Sequence, residues 1–281
     1  PKVSERIFHI PKRVVEGSKS TDLNAHAEIR IFGSQQSPIK KFIVINDQIL
    51  EEPLLPLFGS ASRTGLPSFF ISNGDHFFVP KGNYEISRDI RIPRGRKLII
   101  EKGTTIKFAK DAVLVSESAI FANGEPDEPI LLTSIQESWG GILISKSNDR
   151  SQWKHLTIKN TTGVGKEINQ RGLNRTGWFC TGGVTFHQSD VDLLGCSFVN
   201  SSAEDALNII SSDYSMLGCR FASHASDAFD GDFVKGRISD SQFVDIKGDA
   251  IDFSGSEVEI DKIVVKNIFD KGISAGEGTF L

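Results

Sequence analysis

Short apolar runs of four to five residues alternate with polar, glycine-containing breaks along most of the chain. "GVTF", "CSFV" and "QFVDI" are examples, and Gly, Ser, Asp or Asn interrupts the pattern every few residues. Runs of this kind predict short β-strands bounded by tight bends. No repeat contains the roughly 10 to 12 residues at helical spacing that a helical array requires. The pattern therefore predicts an all-β protein.

The C-terminal half repeats with a period of about 22 residues. The quartets "DALN", "DAFD", "DAID" and "KGIS" begin at positions 205, 227, 249 and 271. A fixed period of this length indicates a solenoid. Three short strands and three bends in about 22 residues predict a single-stranded right-handed parallel β-helix, whose coils stack about 4.8 Å apart.

Stacked coils turn equivalent positions into columns. One column is predicted to point inward and to form an apolar ladder, and a second apolar column is dominated by phenylalanine. The first holds Val184, Leu207, Phe229, Ile251 and Ile273, and the second holds Phe198, Phe221, Phe243 and Val265. Cys196 and Cys219 share a further inward column, where packing is a better explanation than metal binding because no histidine or second cysteine pair joins them.

Residues 1–68 do not follow the repeat. "AEIRIF" and "KKFIVIND" predict strands, so this segment is interpreted as an N-terminal β-rich flank or the tail of a preceding domain. Residues 69–281 are predicted to form the β-helix, with residues 166–181 as an insertion that lacks a strand pattern. The sequence ends inside a repeat, so we expect the β-helix to be truncated there, with further domains or a partner chain covering the last coil.

Composition excludes several classes of function. The formal net charge is only −4, which gives no electrostatic footprint for nucleic acid. No apolar run reaches 18 residues, so no membrane span is predicted. The phosphate-binding, dinucleotide-binding and zinc motifs are absent, and no cofactor is predicted.

Several segments resemble a known group of proteins. "TGGVTFHQSDVDLLGCSFVN", "DAFDGDF" and "GDAIDFSGS" resemble the right-handed β-helix of bacterial envelope-associated proteins, some of which accompany CotH-like kinase modules. The resemblance covers about residues 90–281 and implies a pectin-lyase-like architecture. That superfamily contains lyases, hydrolases, epimerases, adhesins and scaffolds, so the resemblance implies a fold and no particular catalytic residues.

Aspartates recur at two places in each coil. Asp205, Asp227 and Asp249 precede a small residue and are predicted to cap backbone N–H groups at a bend. Because neighbours in a strand alternate faces, the residue after each inward side chain points outward. Asn208, Asp230, Asp252 and Ser274 are therefore predicted to form an outward row.

Two carboxylates about 5 Å apart in such a row would repel by roughly 3 kcal/mol at an effective dielectric constant near 20. A shared proton, a cation such as Ca²⁺, or nearby Lys235 and Arg237 would offset this repulsion. A carboxyl pair with one raised pKa is typical of glycosidic chemistry, whereas Ca²⁺ requires six to eight oxygen ligands. A third interpretation, a bend-capping and solvated row without chemistry, stays open.

Three functional hypotheses follow. The favoured one is a cell-envelope or extracellular module that recognises polysaccharide along one face. The second is a glycan-modifying enzyme with Asp230 and Asp252 as acid and base, assisted by Asp232. The third is a passive structural or assembly module.

Substrate-binding candidates complete the predicted site. Lys235 or Arg237 would bind an acidic sugar, Trp178 in the insertion would offer an exposed platform, and Asn208 belongs to the outward row. His187 and His224 are candidate bases, although a single histidine beside a turn is more often a surface residue. Trp139 is expected to pack at a coil corner, and Asn160 and Asn200 to form an asparagine ladder at a bend.

Overall fold

The structure, a computed structural model, describes residues 66–163 and 180–281, together with the backbone of two strands at Asn24–Ile29 and Ile39–Val44. The chain divides into two compact units, Pro1–Leu55 and Pro56–Leu281. The predicted domain boundary at residue 68 stays a prediction. Most of the predicted insertion, including Trp178, lies outside the described residues.

Twenty-seven strands are defined in the described residues. In chain order they are β1 (Asn24–Ile29), β2 (Ile39–Val44), β3 (Ile71–Asn73), β4 (His76–Val79), β5 (Asn83–Ile86), β6 (Ile90–Ile92), β7 (Lys97–Ile100), β8 (Thr105–Phe108), β9 (Val113–Ser116), β10 (Ile120–Asn123), β11 (Ile130–Ser134), β12 (Gly141–Ser145), β13 (Ser151–Lys154), β14 (Leu156–Lys159), β15 (Gly182–His187), β16 (Val191–Leu194), β17 (Ser197–Val199), β18 (Asp205–Ile210), β19 (Asp213–Leu217), β20 (Arg220–His224), β21 (Asp227–Asp232), β22 (Lys235–Ser239), β23 (Gln242–Ile246), β24 (Ile251–Ser254), β25 (Glu257–Asp261), β26 (Val264–Ile268) and β27 (Ser274–Ala275).

The strands of the second unit form three sheets, and each coil contributes one strand to each sheet. The first sheet has the order β25-β22-β19-β16-β13-β10-β7-β4-β3, the second β26-β23-β20-β17-β14-β11-β8-β5, and the third β27-β24-β21-β18-β15-β12-β9-β6. Pairing in them is parallel except between β3 and β4. The predicted parallel β-helix is thus confirmed as a β-solenoid of about eight turns with roughly 22 residues per coil. The described residues contain no helix, and hence none of the length and apolarity needed to cross a membrane.

The interior is built from the predicted columns. Leu207 lies in register with Phe229, and Phe229 with Ile251, and all three are fully buried. Phe198, Phe221 and Phe243 stack with ring centroids 4.8 Å apart, so each aromatic ring covers the next at the spacing of the coils. Both predicted columns are confirmed over these coils.

The inward prediction for Ile273 is wrong. Its side chain is 41% exposed, whereas its column neighbour Ile251 is fully buried. Ile273 lies in the last coil, which packs on one neighbouring coil only, and its column position alone does not enclose it.

Corner residues fix the path of the chain between sheets. Asn160 and Asn200 both have left-handed backbones, with φ of 63° and 57°, and the Asn200 Nδ2 donates to the Asn160 Oδ1 at 2.8 Å. Asparagine adopts this conformation more readily than most residues, so the predicted asparagine ladder is confirmed. Trp139 packs at a corner as predicted, because its ring stacks on Phe108 at 4.1 Å and its indole N–H donates to the Lys159 carbonyl at 2.7 Å.

Candidate functional site

The third sheet carries a row of polar side chains on its outward face, in which Asn208 is buried at 2% exposure whereas Asp230, Asp252 and Ser274 are partly exposed. The parallel register pairs Asn208 with Asp230, Asp230 with Asp252, and Asp252 with Ser274. These residues alternate along their strands with buried apolar ones, so the fold places them side by side as predicted. Asn208, Asp230, Asp252 and the adjacent Asp232 are called the acidic row below.

Asp230 is the residue of this row most changed by its surroundings. Its carboxyl is half-buried, and its Oδ2 accepts a hydrogen bond from the Asn208 Nδ2 at 2.9 Å. Burial raises the pKa of Asp230 to about 8, and neighbouring carboxylates, Asp205 first among them, act in the same direction. Asp230 is therefore largely protonated at neutral pH, which removes much of the predicted repulsion with Asp252.

Two further aspartates beside Asp230 also have raised pKa values. Burial raises the pKa of Asp232, although a hydrogen bond from Asn208 opposes that shift. Asp205 is only 3% exposed, and burial raises its pKa to about 7 against a hydrogen bond from Thr181. Its Oδ2 has no hydrogen-bond partner within the described part of the chain. Three carboxyls with raised pKa values thus lie close together in this part of the third sheet.

Two of the three bend aspartates, Asp227 and Asp249, accept hydrogen bonds from backbone N–H groups, as predicted. The Asp227 Oδ1 accepts the Asp249 N–H at 2.8 Å, and the Asp249 Oδ1 accepts the Lys271 N–H at the same distance. Asp205 occupies the equivalent position, but no backbone N–H bond of this kind is recorded for it in the described residues. The repeat does not predict its burial, since Asp205 and its register neighbour Asp227 share one column position yet Asp205 is 3% exposed and Asp227 is half-buried.

Three carboxylates that are candidate cation ligands meet at the same bend. One carboxylate oxygen each from Asp227, Asp249 and Asp252 lies within 4.8 Å of the others. The Lys271 Nζ contacts both carboxylate oxygens of Asp249, at 2.9 and 3.1 Å. Three carboxylates with an ammonium among them fall short of the six to eight oxygens that Ca²⁺ takes. Binding of Ca²⁺ stays a prediction.

The two predicted sugar-binding cations lie on a different sheet from the acidic row. Lys235 pairs with Glu257 at 2.9 Å, and Arg237 lies 3.6 Å from both Glu259 and Asp261. These ion pairs follow from the register of the first sheet, which sets Lys235 opposite Glu257. Both cations therefore form ion pairs with carboxylates outside the acidic row, and their binding to an acidic sugar stays a prediction.

The histidines differ from each other. His224 is only 2% exposed, so the expectation that it is a surface residue is wrong. The Ser201 N–H donates to the His224 Nδ1 at 3.2 Å, and burial lowers the pKa of His224 to about 4. His187 is half-buried, and its Nδ1 lies 3.2 Å from the Ser145 Oγ. Burial and Lys146 lower the pKa of His187. Cys196 and Cys219 are buried in the core, as predicted.

One surface feature was missed by sequence reasoning. Phe233 follows the acidic row directly and is 68% exposed, in a groove of about 620 Å³ between the first and third sheets. The available signal is its place in "DAFDGDF", where an apolar residue occupies a corner position that other coils fill with Ser211 or Gly255.

Comparisons with known proteins give limited guidance. No protein-family model matches the chain. The Drosophila melanogaster protein named "Protein bark beetle" is 32% identical over 94 residues, which is 31% of this chain and 3% of that protein. The chain therefore spans a very small part of this relative. Among solved structures, the A-module of mannuronan C-5 epimerase AlgE6 from Azotobacter vinelandii matches 73% of this chain and 90% of that chain, at 8% identity and a TM-score of 0.14. A score this low carries no argument, and the bacterial origin and the CotH link stay predictions.

Proposed function

We propose that the outer surface of the third sheet, at the acidic row, binds polysaccharide. The observation that carries the proposal is the in-register pair of Asp230 and Asp252, two partly exposed carboxyls at the coil spacing, with the buried Asn208 amide holding Asp230 by a hydrogen bond. A sugar polymer likewise presents hydroxyl groups repeatedly along a line, and carboxyls and amides are good hydrogen-bond partners for them. A polysaccharide ligand also makes an extracellular or cell-envelope location part of the proposal.

The test is binding to a panel of immobilised and soluble glycans, with matched variants. We expect Asn208→Ala and Asp252→Asn each to weaken binding several-fold, because the first removes the amide that holds Asp230 and the second replaces a carboxylate acceptor with a neutral amide. Glu85→Gln is the control, since Glu85 is an exposed carboxylate on the second sheet. Wild-type binding to no glycan, or equal losses for Glu85→Gln, would contradict the proposal and favour the passive structural module.

A second candidate function is enzymatic modification of the glycan. It is favoured by the raised pKa of Asp230, because a carboxyl that is protonated at neutral pH can donate a proton to a glycosidic oxygen. Asp252, its register neighbour, would be the second carboxyl of the pair, and Asp232 would assist. This arrangement suits a lyase, a hydrolase or an epimerase.

The enzymatic candidate has its own test. Glycans that bind are incubated with the protein, and products are followed as new reducing ends, unsaturated ends or epimerised residues. Asp230→Asn should abolish turnover while binding and the thermal midpoint near pH 5 are kept. Turnover that survives in this variant rules out Asp230 as the acid, and absence of any product with bound glycans leaves a binding module.

A further inference from the structure

Phe233 lies in a backbone conformation that disfavours large side chains. The corners after five consecutive strands of the third sheet, β12, β15, β18, β21 and β24, each have a left-handed residue, with φ between 48° and 61°. These residues are Lys146, Gln188, Ser211, Phe233 and Gly255. Each donates its N–H to a carbonyl of the next coil, as Phe233 does to Ser254 at 2.8 Å, so the fold dictates this conformation. A bulky residue with positive φ is an outlier that invites a functional explanation.

The ring of Phe233 is supported from one side and open on the other. A Cβ atom on Gly255 would lie 2.7 Å from the Phe233 Cδ1, so the ring lies against the bare backbone of the next coil. The side chain is nevertheless 68% exposed. Phe233 thus combines backbone strain with poor burial, and neither property stabilises the fold.

The groove beside Phe233 has the dimensions of a ligand site and an acidic lining. Its volume of about 620 Å³ lies within the roughly 300–1,000 Å³ of small-molecule sites. Phe280 contributes a second exposed ring. Asp190, Asp213 and Glu257 line the groove; the Asp190 carboxylate pairs with the Arg150 guanidinium at 3.3 Å, and Lys235 brings an ammonium into the lining. That ammonium is paired with Glu257 at 2.9 Å.

The groove continues the acidic row around the corner. Asp232, the last residue of β21, belongs to the row, and Phe233 follows it in the chain. The row itself runs across the strands, so a ligand reaches the Phe233 ring by extending from Asp232 past the end of β21. The surface along this path offers carboxyls as hydrogen-bond acceptors and one aromatic face.

We propose that Phe233 is a stacking platform for a sugar subsite, and that the subsite selects neutral or amine-bearing sugars over uronic acids. This inference rests on the proposed polysaccharide-binding function. The C–H groups on one face of a pyranose ring suit the negative face of an aromatic ring. Sugar hydroxyls or ammonium groups suit the surrounding carboxylates, whereas a uronate would be repelled by them.

The experiment measures binding of three probes by calorimetry at pH 6, namely a chitosan hexamer, its fully N-acetylated form and hexagalacturonate. We expect either of the first two to bind more tightly than hexagalacturonate. Phe233→Ala and Phe233→Gly should weaken that binding about five- to tenfold, whereas Phe233→Trp keeps it. Phe269→Ala is the matched control, because Phe269 is 86% exposed at a different corner.

A second readout separates a binding role from a structural one. Phe233→Gly should leave the thermal midpoint unchanged or raise it, because glycine adopts a left-handed backbone without strain. A clear fall in that midpoint would assign Phe233 to packing and overturn the inference.

The outcomes also distinguish the inference from the proposed function. If Asp252→Asn loses binding while Phe233→Ala keeps it, the platform is wrong and the acidic row stands. If hexagalacturonate binds most tightly, the charge selectivity is wrong. If none of the three sugars binds and a lysine-rich peptide does, both the subsite and the sugar specificity are overturned.

Discussion

Among single residues, Asp230 shows how the solenoid makes an acidic row tolerable. Its carboxyl lies beside other aspartates, yet it accepts a hydrogen bond from Asn208 and remains half-buried. Burial, together with the neighbouring carboxylates, raises the pKa of Asp230 to about 8, so its carboxyl holds a proton at neutral pH. Neither Lys235 nor Arg237 lies on this sheet. A bound proton therefore takes the place of a salt bridge.

This proton makes stability depend on pH. Because the pKa of Asp230 is near 4 in the unfolded chain and about 8 when folded, the folded state holds the extra proton between these values. The stabilisation is full below pH 4 and is lost as pH rises toward 8, at roughly 1.4 kcal/mol per pH unit for one proton. Asp230→Asn cannot lose a proton. We expect its thermal midpoint to exceed that of the wild type increasingly from pH 5 to about pH 8, and by a constant amount above that.

The control for this prediction is Glu85→Gln, which should follow the wild-type pH dependence. A constant difference between Asp230→Asn and wild type across this pH range would show that the carboxyl is not protonated in the folded state. Asp205, with a pKa raised to about 7, should leave a smaller residual pH dependence in the variant.

Lys271 balances the negative charge of the carboxylates at the bend beside the acidic row. Its Nζ contacts both carboxylate oxygens of Asp249, beside Asp227 and Asp252. Removing the ammonium leaves three carboxylate oxygens close together without their cation. We expect millimolar Ca²⁺ to raise the thermal midpoint of Lys271→Ala more than that of wild type, with EDTA reversing the gain. An equal response of the two proteins would show that Ca²⁺ does not bind at these three carboxylates.

At the scale of strands, the second sheet owes its packing to aligned aromatic rings. Phe221 stacks on Phe198 and Phe243 at 4.8 Å, with interplanar angles of 9° and 5°. The sequence period predicts this stack, because residues about 22 positions apart occupy the same place in successive coils and these three residues are all phenylalanine. The same rule pairs Lys235 with Glu257 and Arg237 with Glu259, each 22 residues apart, so these ion pairs were also readable from the sequence.

Truncation of the central ring tests the stack. Phe221→Ala should lower the free energy of unfolding by about 3–5 kcal/mol, because it leaves a cavity between two rings that cannot close on each other. Urea denaturation measures the change. Phe269→Ala, which removes an exposed ring, should stay within about 0.5 kcal/mol of wild type. A loss below 1 kcal/mol for Phe221→Ala would show that the stack collapses around the missing ring.

At the scale of the molecule, the repeat predicted the strand register and the position of the acidic row, but not the protonation and burial of the residues in and around it. Column membership follows from counting residues, whereas the protonation of Asp230, the burial of Asp205 and the exposure of Phe233 depend on what covers each position. The repeat is also not rigid. Val199 to Asp205 takes one residue more than the aligned path from Ala222 to Asp227, and the corner absorbs it without disturbing the strands.

Because each coil pairs only with its neighbours, the solenoid should accept another coil. Inserting a second copy of residues 227–248 after residue 248 adds one strand to each sheet and a further Asp230 equivalent to the row. We expect a cooperative unfolding transition near the wild-type midpoint and tighter binding of long glycans than of short ones. A scrambled 22-residue insert is the control, since it has the same length but cannot continue the apolar columns. If both inserts unfold the protein equally, the coils are not interchangeable units; if the duplicated coil folds without improving binding, the ligand does not follow the row.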